Sequence, residues 1–227
     1  MRERAIGGPL LLVAALTAVA ACSSGGGGDD QGGEAAAVPR QTTTPPTTML
    51  LSCEEDPHMV VFDTTGTLTA TKEEGLEWLR DPTNVPAVRP LAPELAAAYY
   101  DRGYQLLYTT GLPGEYMIGD KPAPEAMMGW LSASGFPVEG TRVETTHTPD
   151  PPTELSNDLL VLASSGVELD VGYTDHPDDV QSFQVAGVKE IFMVGEASAG
   201  TMSTTIPGDD LAPQVAKVEA LPEVCTR

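Results

Sequence analysis

Cysteine and positive charge are both scarce in this sequence. Of 227 residues three are cysteine, and 12 Lys+Arg face 33 Asp+Glu, a formal net charge of −21. An acidic excess of that size argues against nucleic acid as a partner and against electrostatic docking on anionic lipid. It also means that any phosphorylated ligand must find a local cation. His58, His147 and His176 are scattered without metal-ligand spacing, which argues against a zinc site. No serine sits in a Gly-x-Ser-x-Gly elbow. Beyond the N-terminus no apolar run is long enough for a membrane helix.

The N-terminus itself is a different matter. "MRERAIGGPLLLVAALTAVAAC" has a basic start, an apolar core and small residues before Cys22, the layout of a secretory signal. Val19-Ala20-Ala21-Cys22 resembles the lipobox of bacterial lipoproteins, which implies that residues 1–21 are removed and Cys22 carries lipid. The other reading is an ordinary signal peptide that happens to contain a cysteine. Ser23 to Thr48 is dominated by glycine, serine, threonine and proline and cannot bury enough apolar surface to fold. Residues 22–50 are therefore expected to tether residues 51–227, one domain in size, to a membrane of the cell envelope outside the cytoplasm.

Cys53 and Cys225 lie at the two ends of that domain. In an exported protein they are expected to form a disulfide rather than remain two free thiols. The chain-entropy model allows up to about 5 kcal/mol for so long a loop.

Between those ends, apolar runs alternate with helix-like segments. Met59–Phe62, Tyr104–Thr110, Arg142–Thr145, Glu168–Asp175 and Glu190–Gly195 read as strands, the last of them as the final one. Arg89–Gly103, Pro122–Gly135, Thr153–Gly166 and Asp178–Gly187 read as helices, several opened by proline and closed by glycine. Strands separated by helices pair in parallel through right-handed crossovers. The expected fold is a three-layer α/β/α sandwich with a mainly parallel sheet, and a monomer is expected. The strands end on Asp63, Thr110 and Asp175, and in such a sheet strand carboxyl ends line one crevice. Each residue alone reads as the start of a turn, but the three together read as a site.

The stretch "DTTGTLT", Asp63 to Thr69, resembles the first motif of the haloacid dehalogenase (HAD) superfamily, Asp-x-Asp-Gly-Thr. The wider sequence resembles the domain shared by lipin phosphatidate phosphatases and membrane-associated phosphatidylinositol transfer proteins. "GYQLLYTTG" is similar to that group's second strand, with Thr110 at its Ser/Thr position. "VGYTDHPDDVQSFQVAGVKEIFMV" is similar to its Gly-Phe-Gly-Asn-Arg-Pro-x-Asp-Val stretch, with Asp175 at the Asn and Asp179 at the Asp. The resemblance spans roughly residues 59–195.

It implies a HAD-like Rossmannoid fold and a phosphatase that works through an aspartyl phosphate on Asp63. It implies Mg²⁺ held by Asp63, the Thr65 carbonyl and Asp175, with Asp179 as a ligand or behind one. Thr110, with Gly111 beside it, would bind the phosphoryl group of a phosphorylated small molecule or phospholipid head group. The segment Thr64 to Arg89 is short for a cap, so the crevice is expected to be open.

Two departures qualify the activity. The residue that protonates the leaving group in the family is an aspartate, and here it is Thr65. General acid–base catalysis contributes about 10²–10⁴-fold, so alkyl esters should suffer most and acyl phosphates or phosphoanhydrides least. The family also expects a lysine or arginine before "VGYTD", and Thr148 to Asp170 contains none. Lys121 is a candidate phosphate contact, and it also reads as a plain surface residue at a helix start. Two classes therefore stand: a slow or specialised Mg²⁺-dependent phosphohydrolase, or an inactive module that binds a metal, a phosphorylated ligand, a phospholipid or a protein.

Overall fold

A computed structural model describes residues 57–146, 151–195, 202–206 and 210–225, all within the unit Pro46–Arg227. The signal segment, Cys22, the tether and Cys53 lie outside the described residues, as do His147 and the three residues after it.

Six strands form one sheet: β1 (His58–Asp63), β2 (Gln105–Pro113), β5 (Arg142–Thr146), β6 (Glu168–Thr174), β7 (Glu190–Val194) and β8 (Thr204–Ile206). Their order is β5-β2-β1-β6-β7-β8, and every pairing is parallel. The helices are α1 (Lys72–Arg80), α2 (Ala92–Asp101), α3 (Ala123–Ala133), α4 (Pro151–Ser164), α5 (Pro177–Ala186) and α6 (Ala212–Glu219). A two-stranded antiparallel hairpin, β3 (Met117–Ile118) and β4 (Lys121–Pro122), precedes α3.

The sheet divides the core into two layers, and β1 shows why. Its side chains alternate between faces, as a pleated strand requires. Val60 and Phe62 pack with residues of α1, α2, α3 and α6, including Trp78, Leu95, Trp130 and Val218. Met59 and Val61 pack with Leu155 and Leu159 of α4 and Val180 and Phe183 of α5. Because both faces are covered, β1 reads as an unbroken apolar run instead of an alternating one.

An aromatic row fixes the register just below the strand ends. Tyr108, Phe62, Tyr173 and Phe192 are direct partners across β2, β1, β6 and β7. Their rings stack with centroids 6.0, 5.0 and 5.2 Å apart. Such pairs favour one alignment of the strands over its neighbours. The row holds Asp63, Thr109 and Thr174, each the next residue on its strand, at one level.

The structure corrects the expected outline at several points. Glu190–Val194 is not the last strand, because β8 pairs with it and α6 follows. The β2 strand runs on through Gly111 to Pro113. The segment after the first motif contains α1, capped by Thr71, whose hydroxyl oxygen accepts the Glu74 N–H. Among the described residues no helix is long and apolar enough to cross a membrane.

Candidate active site at the carboxyl ends of the strands

Asp63 closes β1 and is buried. The chain then turns back on itself, with the Leu68 and Thr69 N–H groups both donating to the Thr64 carbonyl. Three of the four threonines of "DTTGTLT" secure parts of this turn. Thr64 donates its hydroxyl to the Thr109 carbonyl at 2.8 Å, tying the turn to β2. Thr67 donates to Asp63 Oδ2 at 3.0 Å, and Thr69 Oγ1 accepts the Gly66 N–H at 2.8 Å. From outside the motif, the buried Arg89 donates Nε to the Thr67 carbonyl at 2.8 Å and Nη2 to the Gly66 carbonyl at 2.5 Å. A charged donor on two carbonyls fixes a turn more firmly than neutral bonds would.

Asp175 and Asp179 approach Asp63 from the end of β6 and the first turn of α5. Gly66 sits at φ +85°, and a Cβ there would lie 2.1 Å from Asp175 Oδ2. Asp179 is held by the Thr174 hydroxyl, which donates to its Oδ2 at 2.8 Å. Lys72, the first residue of α1, stands 3.9 Å from Asp175 Oδ2.

This crowding is visible in the acids. Burial, then the charges of Asp179 and Asp175, hold the Asp63 carboxyl well above the ordinary carboxylate range. Burial also raises Asp175, partly offset by Lys72, His176 and Arg89. Asp179 is raised by burial too, with the Thr174 hydrogen bond acting against it. Three oxygen donors that repel one another and share little water form a set suited to a hard divalent cation. Asp63, Asp175 and Asp179 therefore fit Mg²⁺ in their chemistry, and the glycine at 66 leaves Asp175 the room to join them.

A cleft of about 370 Å³ opens over these residues, lined by Asp63, Thr65, Thr110, Gly111, Asp175 and Asp179. Six of the expected site residues therefore share one space. The cleft's far wall is α1, through Lys72, Leu76 and Leu79. Thr65 faces the cleft with its methyl against α1, where a Cβ on Gly75 would lie 2.7 Å from Thr65 Cγ2. Glycine at 75 lets the helix close to that distance. Lys121 is placed elsewhere: it is half exposed in β4, paired with Glu125 at 3.3 Å, and does not line the cleft.

Lys72 and Arg89 escaped the sequence reading. Both lie between the first motif and α2, whereas the basic residue was sought before "VGYTD". Folding of α1 back over the turn brings Lys72 to the site, and no local pattern announces that.

At the opposite, amino end of the sheet, His58 Nδ1 lies 2.5 Å from Asp170 Oδ2, with Glu168 nearby. Among the described residues this is the one group whose side-chain donors already lie within 4.8 Å of one another. Histidine spacing in the sequence conceals it, because the partners come from the neighbouring strand β6. Lys189 already bonds both carboxylates, at 2.7 Å to Asp170, so an ammonium offsets part of the negative charge there. The Asp63 cluster is wider, with Asp175 turned toward Gly66 and Lys72 and Asp179 toward Thr174.

Comparison with known proteins bears on the family and the fold. The family model for the LNS2 domain of PITM 1-3 matches residues 60–195. A candidate HAD-like phosphatase from Mesorhizobium loti superimposes with a TM-score of 0.54 at 19% identity, covering 75% of this chain and 90% of that one. The D,D-heptose 1,7-bisphosphate phosphatase of B. bronchiseptica, solved with magnesium and phosphate, gives 0.50 at 15% identity, with 71% and 97% covered. At those identities the likeness concerns the fold. No curated protein sequence matches the chain significantly. The family match covers more than half of the chain, and the chain belongs to the LNS2 domain family, with the α/β fold of HAD-like phosphatases.

Proposed function

We propose that this chain is a Mg²⁺-dependent phosphohydrolase that forms an acyl phosphate on Asp63 and acts on phosphates whose leaving group needs no protonation. The observation that carries the reading is Asp63 itself, a buried carboxylate at the floor of an open cleft, crowded by Asp175 and Asp179.

An Asp63 carboxylate oxygen would attack phosphorus while the bond to the leaving oxygen breaks, and that oxygen departs with the electron pair. Water would then attack the same phosphorus, returning the Asp63 carboxylate and releasing hydrogen phosphate, which keeps one of the water's two protons while the other passes to solvent. Asp63, Asp175, Asp179 and the Thr65 carbonyl would hold the cation. Bound Mg²⁺ would offset the acidic charge and keep Asp63 ionised. Thr110 and Gly111 would bound the phosphoryl group. Thr65 has no proton to give at a useful pKa, so acyl phosphates and phosphoanhydrides fit better than alkyl esters.

Hydrolysis of acetyl phosphate with and without Mg²⁺ tests the reading, and no turnover in either condition would contradict it. Thr65 also favours a second reading, in which the domain binds a phosphorylated ligand, a phospholipid or a protein without turning anything over. Sustained Mg²⁺-dependent turnover separates the two.

We infer further that Cys22 carries lipid and holds the domain near an envelope membrane outside the cytoplasm, and that Cys53 pairs with Cys225. Supporting the pairing, Cys225 is buried. Its backbone lies so close to the α2–β2 turn that a Cβ on Gly103 would be 2.0 Å from the Cys225 carbonyl oxygen.

A further inference from the structure

The cleft is lined by four carboxylates, Asp63, Asp175, Asp178 and Asp179, and among the described residues Lys72 is the one lysine or arginine that faces them. A divalent cation leaves this set net negative, so a phosphate entering it meets repulsion unless another positive charge reaches it. The other nearby cations are committed. Arg89 is buried with its donors on the Gly66 and Thr67 carbonyls. Lys121 pairs with Glu125, and Arg142 pairs with Glu144 at 3.2 Å.

Lys72 is placed differently. Its backbone is fixed as the first residue of a helix that Thr71 caps, beside the Asp63 turn. Its ammonium is half exposed, and among the described residues its ion pair is with Asp175 at 3.9 Å. That distance is too long for a hydrogen bond, and an exposed pair of this kind holds weakly. An ammonium has three donors and no fixed plane, so it can trade one oxygen partner for another at little cost.

We propose that Lys72 is the phosphate-binding residue of the cleft. It pairs with Asp175 when no ligand is present and turns to a phosphoryl oxygen once a divalent cation occupies Asp175. The α1 helix thus supplies, from the segment after the first motif, the positive charge that α4 does not. The inference rests on the hydrolase reading for its setting, but binding alone tests it.

The experiment is calorimetric titration of inorganic phosphate into the full chain with saturating Mg²⁺, alongside Mg²⁺ titration without phosphate. Lys72→Gln should weaken phosphate binding by at least about tenfold, the cost of one charge-assisted contact. Lys72→Arg should recover much of that loss. Mg²⁺ affinity without phosphate should stay level or rise in Lys72→Gln, because Asp175 loses a competing cation. Equal phosphate affinity in parent and Lys72→Gln would overturn the proposal, as would a parent that binds no phosphate. A fall in Mg²⁺ affinity in Lys72→Gln would also overturn it, by assigning the residue to the fold of the metal cluster. Lys72-dependent phosphate binding without turnover would uphold the proposal while refuting the hydrolase. Turnover with a KM unchanged by Lys72→Gln would do the reverse.

Discussion

The Asp175 carboxylate occupies the space that a side chain at Gly66 would fill, 2.1 Å from Oδ2 to the position of a Cβ. The turn of the first motif and the end of β6 therefore meet at van der Waals contact only because position 66 has no Cβ. With φ at +85°, any other residue there also meets a backbone cost of about 1–2 kcal/mol. Gly66→Ala should lower stability by at least that amount and weaken Mg²⁺ binding, because Asp175 must turn away. Thermal unfolding and calorimetry would check both, and an alanine variant that binds Mg²⁺ like the parent would contradict this geometry.

A second prediction concerns charge inside the folded protein. The Asp63 carboxyl is raised in the folded state, so without a cation its ionisation opposes folding. That penalty is absent below the ordinary carboxylate range, grows as pH rises through the folded value, and is fully present above it. In chelator at pH 7, Asp63→Asn should therefore raise Tm, by roughly 2–4 °C for each kcal/mol recovered in a domain of this size. The gain should shrink toward pH 4. Saturating Mg²⁺ should reverse the ranking, since the parent carboxylate binds the ion more strongly than an amide. An Asp63→Asn protein less stable than the parent at pH 7 in chelator would contradict the crowding.

These acids also show how far the sequence could be read. Apolar runs marked β1, β2, β6 and β7 because both faces of the sheet are covered, and the polar residues after those runs marked the crevice. Asp63, Thr65, Thr110, Gly111, Asp175 and Asp179 were legible in this way. By contrast β8 is three residues of which two are threonine, and α1 is mostly charged with a glycine inside it. Neither stands out by pattern, because each is specified by what it packs on. Lys72 and Arg89 went unseen for the same reason: their roles arise from α1 and the start of α2 folding back over the turn. His58 and its β6 partners are brought together by strand pairing, at a sequence separation of about a hundred residues.

The third prediction restores an acid. Thr65 faces the cleft, with its methyl on the α1 backbone at Gly75. Aspartate is similar in size, so Thr65→Asp should fold and should raise hydrolysis of an alkyl phosphate by about 10²–10⁴-fold. Acetyl phosphate, whose leaving group needs no proton, should change far less. Steady-state assays on the two substrates give the comparison. Equal effects on both would mean that protonation is not what limits the parent.

Two cysteine experiments test the exported, tethered setting. Cys22→Ser should release the protein from the membrane fraction, and full retention of the variant would contradict a lipid anchor. Peptide mapping of unreduced protein should join the Cys53 and Cys225 peptides. Free thiols at both positions would contradict the bridge.

The central claim is that Asp63 takes the phosphoryl group. Turnover of acetyl phosphate should be acid-quenched, treated with borohydride and digested, since borohydride reduces an aspartyl phosphate to homoserine. The account predicts homoserine at position 63, dependent on Mg²⁺ and missing in Asp63→Asn. Sustained Mg²⁺-dependent turnover by the parent with position 63 unmodified would contradict it.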